Sequence, residues 1–264
     1  MEDKFQNLIL KAENLSIGYK AKKADKVVAS NINFELEKGQ LIGLVGPNGI
    51  GKSTLLRTLI KVQPALSGSI LLNNKELKNI STSGLAKQLS IVLTEQLISK
   101  NLSVYELVAL GRHPYTNWVG NLTDKDITIV NTSLNQVNIS DLKYKKCYEL
   151  SDGQFQKVMI ARALAQDTDV IVLDEPTTHL DMYHKAYILK LLKKLTEETG
   201  KTILFSSHEI DLAIQLCDTM LVMKENEVVC DQPCRLISNG VFKTLFPKDL
   251  ISFDDTTGSF RVTK

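Results

Sequence analysis

No other stretch of this chain narrows its fold as sharply as Gly46-Pro47-Asn48-Gly49-Ile50-Gly51-Lys52-Ser53, which fits the pattern G-x-x-x-x-G-K-[ST]. The apolar run Leu41 to Val45 before it reads as a strand, and Thr54 to Ile60 after it reads as a helix. Strand, glycine-rich loop and helix form the context in which this pattern holds a phosphate group. The glycines let the backbone curl so that successive N–H groups face inward, and the helix N-terminus adds partial positive charge. Lys52 would reach the β and γ oxygens of a nucleotide, and the Ser53 hydroxyl would ligate Mg²⁺. A strand that hands over to a helix in this way belongs to a parallel sheet with crossover helices.

A second feature answers the first. Val170-Ile171-Val172-Leu173-Asp174-Glu175 is a buried-strand run that ends in two carboxylates. Adjacent acids at the end of an apolar strand are costly unless something there requires them. Beside the loop, Asp174 would complete a Mg²⁺ site opposite Ser53, and Glu175 would orient and deprotonate a water for attack on a γ-phosphate.

The rest of the chain supplies a frame for these two poles. Short β-rich runs occupy the first eighty residues: Leu8 to Leu10, Leu15 to Tyr19, Val27 to Leu36 and Ser69 to Leu72, besides the strand already named. From Leu85 to Leu164 the pattern turns helical, with Val104 to Leu110, a polar break at Gly111 to Leu122, a helix from Thr123 to Val137 and another from Ser151 to Ala165. An amphipathic helix carrying Ile188, Leu191, Leu192 and Leu195 on one face precedes a strand at Thr202 to Ser206. Met220 to Met223 and Glu227 to Cys230 suggest a hairpin, and a polar tail is expected to follow.

Composition sets outer limits. The 264 residues are 43% hydrophobic, and 32 Lys plus Arg nearly balance 30 Asp plus Glu, for a formal net charge of +2. That balance argues against a dedicated nucleic-acid binder. No apolar run approaches the ~20 residues of a membrane span. The start, Met1-Glu2-Asp3-Lys4-Phe5, lacks the apolar core of a signal peptide, so a cytoplasmic location is expected. The four cysteines read as reduced thiols, and Cys230 and Cys234 lack the further ligands a zinc site needs.

At this point the motifs resemble those of the ATP-binding-cassette (ABC) ATPases, over nearly the whole chain. Leu150-Ser151-Asp152-Gly153-Gln154 looks like the family signature, usually LSGGQ, with Asp152 where the common form has Gly. Read without the family, it is a Ser and a Gly opening a helix. Thr178-His179-Leu180-Asp181 resembles the D-loop, and Ser206-Ser207-His208 resembles the switch whose His contacts the γ-phosphate. Tyr19 stands where the family places an aromatic that stacks on adenine. The family's Gln at the junction with the helical insert has no clean counterpart: Thr94, Glu95 and Gln96 are all candidates.

The resemblance implies an α/β fold of the P-loop NTPase (RecA-like) type, with a parallel-sheet core, an antiparallel β subdomain and an inserted α-helical subdomain. The division it suggests is 1–94 and 156–235 for the β subdomain and core, 95–155 for the insert with the signature, and 236–264 for a C-terminal extension. It further implies ATP and Mg²⁺ as ligands, Glu175 and His208 as catalytic residues, and a head-to-tail homodimer in which each signature closes over the partner's ATP.

One cassette with no membrane span looks like the separate ATPase subunit of an importer, attached peripherally to the cytoplasmic face of the membrane. Leu107-Val108-Ala109-Leu110-Gly111-Arg112-His113-Pro114-Tyr115 and Glu175 to Asp181 are similar to the branch serving uptake of ferric siderophores, haem and cobalamin. The partners so implied are two permease subunits and, indirectly, a substrate-binding protein. The alternative is a soluble cassette serving as a switch or assembly factor. A GTPase is disfavoured because no [NT]-K-x-D segment occurs.

Overall fold

The computed structural model describes residues 7–21, 24–93, 100–225, 227–247 and 249–263. At its centre lies a six-stranded sheet whose strands are β3 (Leu41–Val45), β6 (Leu89–Val92), β7 (Val170–Leu173), β8 (Thr202–Ser207), β9 (Thr219–Lys224) and β10 (Glu227–Asp231). Their order is β10-β9-β3-β8-β7-β6, with all neighbours parallel except the β9–β10 hairpin. Side chains of a strand alternate between faces, and a parallel sheet must bury both. Leu41 and Val45 of β3, Ile171 and Leu173 of β7, and Ile203 and Phe205 of β8 enter the core shared with the helices. Ile42, Leu44, Val170, Val172 and Leu204 enter a second core on the opposite face.

That second core is closed by α1 (Lys52–Leu59) and by an antiparallel sheet of β1 (Leu8–Tyr19), β2 (Lys26–Glu37), β4 (Ser67–Leu72) and β5 (Lys75–Glu76), in the order β2-β1-β4-β5. The two runs Leu8 to Leu10 and Leu15 to Tyr19 are a single strand. The register shifts between Ala12 and Leu15, where Asn14 has φ +47°, and this bulge breaks the alternation that marks a continuous strand.

The short helix α2 (Thr82–Ala86) and strand β6 correct the expectation of helix from Leu85 onward. Leu89-Ser90-Ile91-Val92 is only four residues long, too short to show a period, and pairing with β7 makes it a strand. The helical layer comprises α3 (Val104–Ala109), α4 (Asp124–Gln136), α5 (Asp152–Ala165) and α6 (Met182–Thr199). α4 begins at a capping box between Thr123 and Asp126.

Within the expected break, Leu110–Tyr115 forms a 3₁₀ helix pinned by Arg112, which is 3% exposed. Arg112 Nε donates to Asp126 Oδ1 at 2.8 Å and Nη1 donates to Ala165 O at 2.8 Å. Gly111 is required there, because a Cβ would stand 2.3 Å from the carbonyl oxygen of Arg162.

The expected polar tail is folded. Helix α7 (Ile210–Leu216) follows β8, and α8 (Pro233–Ser238) leads to the hairpin of β11 (Ile251–Asp254) and β12 (Ser259–Val262). Phe242, Phe246, Phe253 and Phe260 pack ring against ring, Phe253 and Phe260 at 4.9 Å between centroids. Four aromatic rings spaced too irregularly to show a period hold this unit, and the backbone N–H of Phe260 donates to Asp211 of α7. Among the described residues no helix is long and apolar enough to cross a membrane.

Candidate active site

The glycine-rich loop leaves β3 and enters α1 with its backbone in conformations only glycine tolerates. Gly46 has φ +154° and a Cβ there would lie 2.4 Å from Met223 O; Gly51 has φ +116° and a Cβ would lie 2.3 Å from Val28 Cγ1. Lys52, 5% exposed, folds back over the loop, donating to Gly46 O at 2.9 Å and Pro47 O at 3.0 Å. Burial pushes its ammonium below the usual lysine value, while Glu175 and Asp174 pull it upward. A desolvated cation held this way is primed for a polyanion.

The acids arrive from β7. Parallel pairing sets Leu173 beside Phe205, which brings Asp174 opposite Ser206. Ser206 Oγ donates to Asp174 Oδ1 at 2.7 Å and accepts the backbone N–H of Glu175 at 2.9 Å. Ser53 Oγ donates to the same Asp174 oxygen at 3.3 Å, so the loop and the acid strand meet. Glu175 turns out of the strand with φ +49°, an uncommon conformation for a non-glycine residue. Its Oε2 accepts from Thr178 Oγ1 at 3.2 Å, and its Oε1 lies 2.5 Å from His208 Nε2. The other nitrogen of His208, Nδ1, lies 3.4 Å from Lys52 Nζ.

Together these groups border a cleft of about 330 Å³ lined by Tyr19, Asn48, Gly49, Gly51, Lys52, Ser53, Thr54, Glu175 and His208. Tyr19, 49% exposed, hangs over it with its hydroxyl 3.0 Å from Thr54 Oγ1. An aliphatic hydroxyl and a carboxylate as the two converging oxygen donors suit a hard divalent cation such as Mg²⁺ rather than a thiophilic metal.

The signature residues stand elsewhere. Ser151 caps α5 in a capping box with Gln154, its Oγ accepting the Gln154 N–H at 3.3 Å. Asp152 is exposed, Gly153 is buried and Leu150 packs on the helical core. None of Leu150, Ser151, Asp152, Gly153 or Gln154 lines the cleft. Asp181 caps α6 and accepts the N–H of His184 at 2.8 Å. Thr94, Glu95 and Gln96 lie outside the described residues.

Sequence reasoning missed the two hydroxyls that hold the acids, Ser206 and Thr178. Both sit in segments it singled out, yet Ser206 gains its role only from the β7–β8 register, a long-range fact with no local pattern.

Comparison with known proteins agrees with this geometry. Residues 29–178 match the family described as ABC transporter. The chain is 38% identical over 255 residues to an uncharacterized ABC transporter ATP-binding protein of Methanocaldococcus jannaschii, covering 96% of this chain and 87% of that one. It is 37% identical over 241 residues to the iron(3+)-hydroxamate import ATP-binding protein of Bacillus subtilis, covering 91% and 88%. Among solved structures it resembles an ABC transporter assigned to the metal-chelate type in an inward-facing conformation, with TM-score 0.79 and 25% identity over 97% of this chain and 96% of that one. It also resembles an ATP-binding cassette solved as a dimer with ADP and phosphate, with TM-score 0.72 and 27% identity over 85% and 99%. With fold, cleft and relatives in agreement, the chain belongs to the ABC transporter family, as one of its ATP-binding cassettes, which hydrolyse ATP to drive transport.

Proposed function

We propose that this chain is the ATP-hydrolysing subunit of an importer that takes up a metal chelate, a ferric siderophore, haem or cobalamin, through a separate membrane permease. The import reading is supported by relatives that match along nearly their whole length, among them the hydroxamate importer's ATP-binding protein and the metal-chelate type transporter. A role as a soluble switch or assembly factor has no comparable support.

The observation that carries the chemistry is the convergence of Lys52, Glu175 and His208 on one cleft at the end of the parallel sheet. Tyr19 stacks on the adenine, and the N–H groups of Gly46, Pro47, Asn48, Gly49, Ile50, Gly51, Lys52, Ser53 and Thr54, as far as each has one, line the phosphates. Lys52 neutralises the β and γ oxygens. Ser53 and Asp174 would hold Mg²⁺, which when bound offsets charge on the β and γ oxygens. Glu175 takes the proton of the attacking water, and His208 fixes that carboxylate and contacts the γ-phosphate.

The cassette works as a head-to-tail homodimer, a reading supported by dimeric cassettes of the same fold. Leu150 to Gln154 of one copy then close over the nucleotide of the other, and Asp181 lies at the junction. Segments 1–94 and 156–235 serve as β subdomain and nucleotide core, 95–155 as the helical insert on which the two permease subunits rest, and 236–264 as a C-terminal extension. The cassette so placed sits peripherally on the cytoplasmic face of the membrane, and a substrate-binding protein outside selects the cargo.

The test is uptake by cells of the source organism lacking this gene, using ⁵⁵Fe-loaded hydroxamate siderophore, haem and cobalamin in parallel. Loss of one uptake, restored by wild-type protein and not by Glu175→Gln, is the expected result. Intact uptake of all three, with purified protein still hydrolysing ATP, would remove the import reading and leave the ATPase.

A further inference from the structure

We infer that His184 is a positioning residue that ties the D-loop to the signature helix of its own chain. The residue belongs to neither motif, yet it touches both. Asp181 caps α6, and both of its carboxylate oxygens lie 2.9 Å from His184 Nδ1. A carboxylate in this setting only accepts, so Nδ1 carries the proton and the ring orientation is fixed. The opposite edge of the ring covers Gly153, the buried third residue of the run that opens at Ser151: a Cβ at Gly153 would stand 3.0 Å from His184 Cδ2 and 3.6 Å from Nε2. The imidazole occupies the space a side chain at position 153 would need.

The contact extends along both helices. One turn on, Lys157 Nζ of α5 lies 4.2 Å from the ring centroid of Tyr187 of α6. Residues three or four apart share a helix face, so Gly153 with Lys157 and His184 with Tyr187 form one seam between the two helices. The seam continues to the active site. Thr178, three residues before Asp181, holds Oε2 of Glu175 at 3.2 Å, and Leu180 between them is buried. A displacement of the Glu175 turn therefore reaches the N-terminus of the signature helix through Thr178, Asp181 and His184.

This inference rests on the dimeric reading above, in which Glu175 serves the nucleotide in its own loop while Ser151 to Gly153 meet the partner's. His184 then links one composite site to the other within a single chain, by packing and a hydrogen bond rather than by contact with nucleotide. Its loss would loosen the angle at which the signature meets the partner and leave the cleft of its own chain as it was.

The test uses full-length protein in a Glu175→Gln background, with ATP-driven dimerisation measured by sedimentation velocity and ADP binding measured on the same samples. His184→Ala removes both contacts. His184→Asn keeps a donor for Asp181 but removes the ring from Gly153, and His184→Phe keeps a ring but loses the donor. All three are expected to bind ADP within about twofold of the parent, while the dimer weakens by about 10-fold in His184→Ala and by about 3-fold in each of the others. Parent-like dimerisation of His184→Ala overturns the proposal, and so does full rescue by His184→Asn, because a cap alone would then explain the residue. If the parent itself fails to dimerise with Mg-ATP, the dimeric reading of the site falls first, and this inference with it.

Discussion

His208 Nε2 lies 2.5 Å from Glu175 Oε1, while the other ring nitrogen faces the Lys52 ammonium at 3.4 Å. A neutral imidazole protonated on Nε2 satisfies both neighbours, donating to the carboxylate and accepting from the lysine. Glu175, the proposed general base, and Lys52, the proposed phosphate-binding cation, are thus bridged by one ring. Glu175→Gln keeps the shape and a hydrogen bond to His208 but cannot take a proton. Phosphate release is expected to fall at least ~100-fold with ATP affinity maintained. Turnover near the wild-type rate would take the role of general base away from Glu175.

Ser206 holds both acids with one hydroxyl and is fully buried. Ser206→Ala takes the Glu175 N–H acceptor away and removes one hydroxyl donor from Asp174 Oδ1, which keeps Ser53, at a position buried in the sheet; the loss costs about 1–3 kcal/mol. Besides lowering the melting temperature, the substitution is expected to slow hydrolysis on the order of 10-fold and raise the Mg²⁺ concentration needed for half-maximal rate. An effect on melting alone would show Ser206 to be structural only.

The side chains of the Arg112–Asp126 ion pair are 4% and 6% exposed, and neither residue lines the cleft. Arg112→Ala leaves the buried Asp126 carboxylate its Thr123 hydrogen bonds but no cation, and is expected to destabilise the chain by about 3 kcal/mol. Arg112→Lys should rescue little, since one ammonium cannot supply both the Nε bond to Asp126 and the Nη1 bond to Ala165 O. Denaturant melts of both variants check this.

The same carboxylate sets an acid limit. Hydrogen bonds from the Thr123 hydroxyl and N–H, and then from Arg112, hold Asp126 down from 3.8 to about 2. A folded-state value below the unfolded one means stability that is full above pH ~4 and lost as pH falls toward ~2, worth about 2 kcal/mol. In Asp126→Asn the slope of stability against pH in that window should flatten; an unchanged slope would assign the acid sensitivity to other carboxylates.

Asp152 is exposed in the first turn of α5, where an acid is favourable for its own helix. In the head-to-tail dimer proposed above, that carboxylate would approach the partner's triphosphate. Asp152→Gly is therefore expected to melt slightly lower yet to dimerise more tightly with ATP, by several-fold at low ionic strength. Weaker dimerisation would mean that the acid is a ligand-side partner rather than a brake.

Local patterns carried much of this in advance, and long-range register carried the rest. The loop from Gly46 to Ser53 and the paired acids were legible because each is contiguous and chemically improbable without a ligand. The continuity of β1 was not, because Asn14 in a left-handed conformation interrupts the alternation. β6 offers four residues and no period, and the C-terminal hairpin is held by rings scattered from Phe242 to Phe260. Arg112 was legible as part of a family motif, while its burial against Asp126 depends on how the 3₁₀ helix meets α4 and α5. Ser206 depends on which strand lies beside β7, and no local window contains that answer.

The position of β3 has a consequence for biosynthesis. It enters the sheet between β8 and β9, and Lys52 meets His208 across 156 positions of chain. The loop proposed to hold the phosphates is therefore made early but shaped late, once Met223 has been synthesised and has come to rest beside Gly46. Contacts of such long range slow folding, and a ligand that binds only the native state draws the equilibrium toward it. ATP at cellular concentration would then distinguish finished cassettes from nascent ones, holding the former together and ignoring the latter.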